Sequence, residues 1–114
     1  MDQTLFALPI LTGKADDARA FLTELEGERK GQYAASERRL GLTKEVWAIQ
    51  GTPAGDLYLV YIAGADIPAA FQRFAASQDE FDRWFKRRVM ETTGADLNTP
   101  PPGPMSEILS DYQA

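Results

Sequence analysis

The chain has 114 residues, the size of one ordinary domain, and its 44% hydrophobic and 25% charged residues are typical of a globular protein. Cys and His are both absent, which excludes disulfides, thiolate or imidazole metal sites, imidazole-bound haem, Cys nucleophiles and Ser-His-Asp triads. The net charge of −5 argues against a surface that binds double-stranded nucleic acid.

The N-terminal apolar run, residues 5–11, is too short to span a bilayer, and no positively charged segment precedes it. We therefore expect no membrane partner and a cytoplasmic location. The run predicts a first strand over residues 3–11, with Pro9 marking a sheet edge or the end of the strand.

Two helical stretches are predicted next. In the first, Asp16 and Asp17 complement the helix N-terminus, and apolar residues recur with the helical period. Those residues are Ala18, Phe21, Leu22 and Leu25. The second stretch covers residues 28–40; it is separated from the first by Gly27 and closed by Gly41.

Two strands with a turn between them follow. Residues 44–50 alternate, which predicts Glu45, Trp47 and Ile49 on one side of the strand. Residues 51–55 are rich in turn formers, and residues 56–63 form the second strand. Positions 57–62 are apolar on both sides, so we expect both faces of this strand to be covered.

Two helices and a connector complete the pattern. Asp66 is predicted to cap a short helix, and Ser77 heads a capping box that opens a second helix ending at Gly94. Residues 95–105 contain four prolines and predict a stiff strap, because proline has no amide donor. Residues 105–112 are predicted as a last strand.

The element order is β-α-β-β-α-β across a single domain, residues 1–114. It predicts an α+β, ferredoxin-like fold with an antiparallel sheet and helices on one face. The other sheet face would be open in one copy. We therefore predict a homodimer that associates through that face, since symmetric homodimers dominate soluble oligomers.

Three sequence blocks carry a resemblance to a known superfamily: ERRLGLTKE (37–45), TPAGDLYLVY (52–61) and DEFDRWFKRRV (79–89). With the opening strand and Gly13-Lys14, they resemble dimeric α/β-barrel domains related to antibiotic-biosynthesis monooxygenases. Within that superfamily they are most similar to an uncharacterised bacterial family. The resemblance implies the fold and dimerisation, and it implies no particular reaction.

Aromatic residues with polar tips are the candidate ligand-binding residues. They are Trp47, Tyr58, Tyr61 and Trp84, with Gln50 as a further hydrogen-bonding group. A cofactor-independent monooxygenase needs only such a pocket, so we expect no metal and no other cofactor. The alternative is that these aromatic residues form the core of a sheet-packed dimer.

Charged clusters have both a functional and a structural interpretation. The carboxylates at 16–17 and at 79, 80 and 82 could form an acid/base pair or a cation site, but charge at a helix N-terminus explains them better. Tyr33 could act as an acid at its tip, but an i,i+4 surface pair with Glu37 is the better interpretation. Residues 38–39 could clamp an anion or be solvated, and the basic residues at 83 and 86–88 are interpreted as a solvated, self-paired helix face.

Two hypotheses for function remain open. The chain is either a small-molecule-binding domain, with or without monooxygenase-like activity, or a non-catalytic dimeric module used in assembly. A ligand-sized cavity beside Trp47 and Tyr61 would favour the first, and a filled interior would favour the second.

Overall fold

The structure, a computed structural model, describes all residues 1–114 and contains three strands and four helices. In chain order these are β1 (Asp2–Pro9), α1 (Ala15–Glu26), α2 (Lys30–Leu40), β2 (Leu42–Thr52), β3 (Gly55–Gly64), α3 (Ile67–Ala76) and α4 (Glu80–Thr93). None of the helices is both long and apolar enough to cross a membrane.

The three strands form one antiparallel sheet with β3 at its centre, in the order β1-β3-β2. Tyr61 of β3 lies between Leu5 of β1 and Val46 of β2. A two-residue loop joins β2 to β3, and Gly55 closes it with a φ of 128°, which a residue with a side chain rarely adopts. The α+β ferredoxin-like fold class predicted from the sequence is confirmed.

Most predicted helix ends are also confirmed. The chain breaks at Gly27 between α1 and α2, and Gly41 closes α2 in the left-handed conformation, with a φ of 74°. The Asp66 carboxylate caps α3 by accepting a hydrogen bond from the Ala69 amide at 3.1 Å. These ends depend on local interactions, which is why short sequence patterns identify them.

The predicted cap of the last helix is wrong. Helix α4 begins at Glu80, and its N-cap is Asp79, whose carboxylate accepts hydrogen bonds from the Phe81 and Asp82 amides. The Ser77 hydroxyl accepts a hydrogen bond from the Asp79 amide at 3.3 Å, one residue before the helix, and donates to the Asp82 carboxylate at 2.6 Å. Asp82 is only 1% exposed, and a buried carboxylate requires hydrogen-bond donors such as the Ser77 hydroxyl. The end of the helix is capped by Asp79 instead.

The predicted last strand, residues 105–112, is absent. Residues 95–114, here called the C-terminal segment, contain neither helix nor strand. One serine holds this segment to β1: the Ser106 hydroxyl accepts a hydrogen bond from the Leu5 amide at 2.8 Å and contacts the Thr4 hydroxyl at 3.2 Å. The four prolines at 100–104 lack amide donors, and no backbone ladder follows them.

The core lies between the sheet and the helices. Phe21 of α1 is at its centre, with ring centroids 5.4 Å from Trp84 and 5.1 Å from Phe85 of α4. Alternate residues of β3, among them Tyr58 and Val60, are buried beneath it. We call this side of the sheet the covered face and the opposite side the open face.

Candidate functional site

Three of the five predicted site residues lie together in the core. Trp47 and Tyr58 project from the covered face with their ring centroids 5.1 Å apart, and both contact Phe21 edge-on. Trp84 reaches the same phenylalanine from α4 and is only 2% exposed. These rings fill the space between them within one copy of the chain, between the sheet and the helices.

The other two residues lie elsewhere. Tyr61 and Gln50 project from the open face, because each is an odd number of positions from its covered-face neighbour on the same strand. Tyr61 lines a cavity of about 220 Å³ under the C-terminal segment, where Leu5 and Ile108 are also found. The structure therefore does not place the five residues around one pocket.

Two carboxyl groups meet on the covered face, at the edge next to α2. Helix α2 presents Tyr33, Ser36, Glu37 and Leu40 on one side, at i, i+3, i+4 and i+7. Strand β2 presents Glu45 on the same side as Trp47. The Trp47 indole nitrogen donates a hydrogen bond to the Glu45 carboxylate at 2.6 Å, which fixes the position of that carboxylate.

The pKa of Glu37 is raised at this site. Burial, followed by the charge of Glu45 and a hydrogen bond with it, raises the pKa of Glu37 to about 9. Burial and the Glu45 charge also raise the pKa of Tyr33, so its phenol stays protonated. Near neutral pH the site therefore contains a protonated Glu37 and a neutral phenol on Tyr33.

Aromatic rings form the floor of the site. Tyr33 stacks on Phe81 with centroids 6.1 Å apart and planes at 29°, and lies 6.3 Å from Phe85. Tyr33, Glu37, Glu45 and Trp47 are all partly exposed. The prediction of a Tyr33–Glu37 surface pair is wrong, because α2 turns both side chains toward the sheet. We call Tyr33, Glu37, Glu45 and Trp47 the carboxyl-pair site.

Trp47 was predicted from the sequence as a site residue, but Glu37 and Glu45 were not, although the sequence contains half of the signal for them. The alternation of β2 had already placed Glu45 on the same side as Trp47 and Ile49, an unusual position for a carboxylate. The sequence does not identify Glu37 as the partner of Glu45, because Glu37 lies on a helix. Only the packing of α2 on β2 determines which residue of the helix faces Glu45.

The acidic group at the start of α4 has a structural role. Asp79 caps the helix, and Glu80 pairs with Arg29 at 3.3 Å. The buried Asp82 carboxylate accepts hydrogen bonds from the Ser36 and Ser77 hydroxyls, both at 2.6 Å, and pairs with Arg39. Helix N-terminal charge thus explains Asp79 but not Asp82, which ties α2 to α4. No group of acidic residues has a metal-binding arrangement.

Comparison with known proteins supports the fold. No family model matches the sequence, and no curated protein matches it. Among solved structures, the chain is similar to tetracenomycin F2 cyclase from Streptomyces glaucescens, described as a type-II polyketide cyclase. The TM-score is 0.54 at 16% identity, over 100% of this chain and 99% of the other.

That likeness establishes the fold. It is of the α+β-barrel type that the sequence resemblance implied, and at this identity the match says nothing about activity.

Proposed function

We propose that this domain binds a small carbonyl compound and catalyses proton transfer on it at the carboxyl-pair site. One observation carries the proposal: two carboxyl groups from different elements, Glu37 of α2 and Glu45 of β2, meet at a partly exposed site with an aromatic floor. The hydrogen bond from Trp47 orients one of them, as a catalytic base requires.

The two groups have complementary roles. The Glu45 carboxylate removes a proton from the carbon next to a carbonyl group. The electron pair of that C–H bond forms a C=C bond, and the π electron pair of the C=O bond moves onto the oxygen. Glu37 donates its proton to that oxygen, which gives the enol. The proton now on Glu45 then passes to the adjoining Glu37 carboxylate, and the site is restored without a cofactor.

The aromatic floor indicates the class of substrate. Tyr33 and Trp47 are partly exposed and offer ring surfaces that suit a planar, unsaturated molecule. The structurally similar protein is described as a polyketide cyclase. Forming a ring between two carbonyl-bearing positions of one chain starts from such an enol, so a compound with several carbonyl groups is the substrate class that we propose.

Deuterium exchange tests the proposal. A 1,3-diketone that bears an aromatic ring is incubated with the protein in D₂O, and loss of the proton between its carbonyl groups is followed by NMR. Glu45→Gln should lower the protein-dependent rate by about 10²-fold or more, the usual contribution of a general base. Glu28→Gln, at an exposed position before α2, is the matched control and should keep the wild-type rate.

Two results would contradict the proposal: no acceleration by the wild type, or equal rates in Glu45→Gln and Glu28→Gln. The monooxygenase-like activity that the sequence left open would also use a base at this site, but on a phenol and with O₂. An oxygen electrode separates the two, because enolisation consumes no O₂ and oxygenation does.

The open face supports a second proposal, that the domain is a homodimer. Leu5, Val46 and Leu59 lie side by side on this face and are 50%, 42% and 39% exposed. A contiguous apolar surface of this kind is typical of protein interfaces. In such a dimer, both apolar faces of β3 are covered: one by the helices of the same copy and the other by a second copy.

A further inference from the structure

A second cavity, of about 350 Å³, lies on the outer side of α4, away from the carboxyl-pair site. Four of its lining residues recur at i, i+3, i+4 and i+7, which is one stripe of the helix: Arg83, Lys86, Arg87 and Met90. Gln78, before the helix, and Asp96 and Asn98, after it, form the other walls. The cavity is therefore a cleft between α4 and the segments that enter and leave it.

Two arginines of this cleft have no carboxylate partner. The acidic residues of α4 all pair elsewhere: Glu80 with Arg29, Asp82 with Arg39 and Glu91 with Arg88. Arg83 and Arg87 are exposed and form no salt bridge. Arg83 and Arg87 are thus solvated as expected but not self-paired, and the expectation of a solvated residue is wrong for Lys86. The two unpaired guanidinium groups lie one helical turn apart.

A buried ammonium group adds a third positive charge. Lys86 is only 3% exposed, and its Nζ donates hydrogen bonds to the carbonyl oxygens of Phe74, Ala75 and Ser77 at 3.0–3.2 Å. All three of its protons are used in closing the end of α3, so its charge is held in place beside the cleft. Three cations therefore face one carboxylate, in a chain with an overall charge of −5.

The carboxylate in the cleft is already engaged. One oxygen of Asp96 accepts hydrogen bonds from the Asn98 backbone amide at 2.9 Å and from its side-chain amide at 3.0 Å. This interaction holds the turn over residues 96–98, so Asp96 shapes the wall of the cleft. Neither arginine is neutralised by it.

We propose that the cleft on α4 binds the phosphate group of a small phosphate monoester. The planar guanidinium groups of Arg83 and Arg87 each offer paired N–H donors that match phosphate oxygens, and the Lys86 charge adds to the attraction of a dianion. Met90 is the one hydrophobic residue of the lining and gives the organic part of the ester an apolar wall. Free inorganic phosphate would occupy the same donors without using Met90.

Chemical-shift mapping tests this proposal on the wild type. The ¹⁵N-labelled protein is titrated with phenyl phosphate, inorganic phosphate and benzoate at constant ionic strength. Phenyl phosphate should shift the amides of residues 78, 83, 87, 90 and 96–98, and should bind more tightly than inorganic phosphate. Benzoate, a monoanion with the same ring, should leave them unchanged.

A double variant and its control assign the donors. Arg83→Gln/Arg87→Gln should raise the dissociation constant for phenyl phosphate at least about tenfold, because two charge-assisted contacts are lost. Arg19→Gln/Lys30→Gln removes the same charge from exposed positions on α1 and α2 and should change it less than about twofold. Lowering the pH from 7.5 to 5 should also weaken binding, since a phosphate ester loses its second charge near pH 6.

The proposal would be overturned by shifts spread over the whole surface, by equal weakening in both double variants, or by binding of benzoate as tight as that of phenyl phosphate. Equal binding of inorganic phosphate and phenyl phosphate would overturn the role of Met90 and assign the cleft to the free ion. The wild-type map decides these points even if the Arg83/Arg87 variant is poorly folded.

Discussion

The two faces of β3 have similar composition and opposite surroundings. On the covered face, Tyr58 and Val60 are 0% and 2% exposed beneath the helices. On the open face, Leu59, between them in the chain, is 39% exposed, and its neighbour across the sheet in the next row, Leu5, is 50% exposed. Only the end of the open face near Leu5 and Tyr61 approaches the C-terminal segment.

This difference shows that an apolar residue on a strand is not always buried within one copy of the chain. Whether it is buried depends on which elements of the same copy pack against that face. Four helices cover one face and give it an aromatic core, whereas the C-terminal segment covers only the end of the other face near Leu5 and Tyr61. A second copy that covered the open face would bury this exposed hydrophobic area and so stabilise the sheet.

A matched pair of valines tests the comparison most strongly. Val60→Ala should lower the free energy of unfolding by about 3 kcal/mol, because it leaves a cavity under the helices. Val46→Ala, on the open face and 42% exposed, should cost less than about 0.5 kcal/mol at submicromolar protein, where a dimer dissociates. Denaturant titration measures both, and equal losses at that concentration would show that the faces do not differ.

A charge on the open face should prevent association. In a symmetric dimer Leu59→Glu introduces two buried carboxylates, and we expect the dissociation constant to rise about 100-fold, equivalent to about 2.7 kcal/mol. Leu11→Glu, at an exposed leucine after β1, is the control. Analytical ultracentrifugation measures both variants. A wild type that is monomeric at micromolar concentration would refute the dimer itself.

The edge of the covered face should respond to pH. Burial raises the pKa of Glu37 to about 9 in the folded chain, above its value in the unfolded chain. Glu37 therefore supports the folded state fully at low pH, and this contribution is lost as pH rises toward 9. Glu37→Gln should be more stable than the wild type at pH 9 by about 1 kcal/mol, since solvent screens a partly exposed group, and about equal at pH 5.

Thermal unfolding at pH 5, 7 and 9 measures this difference. Glu28→Gln is again the control, and it should follow the wild type at every pH. A constant offset between Glu37→Gln and the wild type would mean that Glu37 is not the titrating group.

The parts of the fold that depend on neighbouring residues were predictable. The caps at Asp66, Gly41 and Gly94 and the alternation of β2 follow from interactions within a few residues of chain. The last strand was not predictable in this way. Ile108 and Leu109 gave the predicted strand an apolar centre. Its pairing, however, depends on β1, some 100 residues away in the chain, and the structure has a Ser106 hydrogen bond there in place of a backbone ladder.

The site was harder to predict than the fold, for two physical reasons. Residues an odd number of positions apart on a strand lie on opposite faces, so Tyr58 and Tyr61 cannot share a pocket, and neither can Trp47 and Gln50. The sequence alone therefore excluded one pocket lined by all five residues. The Glu37–Glu45 contact, in contrast, depends on how α2 rotates over the sheet. That rotation is set by the long-range ties of Ser36 and Arg39 to Asp82, which no local pattern reveals.

The register of the sheet also orders events during synthesis. In the β2–β3 hairpin, Thr52 pairs with Gly55, so this pairing closes a very short loop and forms rapidly. Strand β1 pairs Asp2 with Gly64 and Pro9 with Leu57, across much longer loops. Strand β1 therefore has no partner until β3, about 50 residues later in the chain, has also been made. Its apolar residues are exposed to other chains or chaperones during that interval.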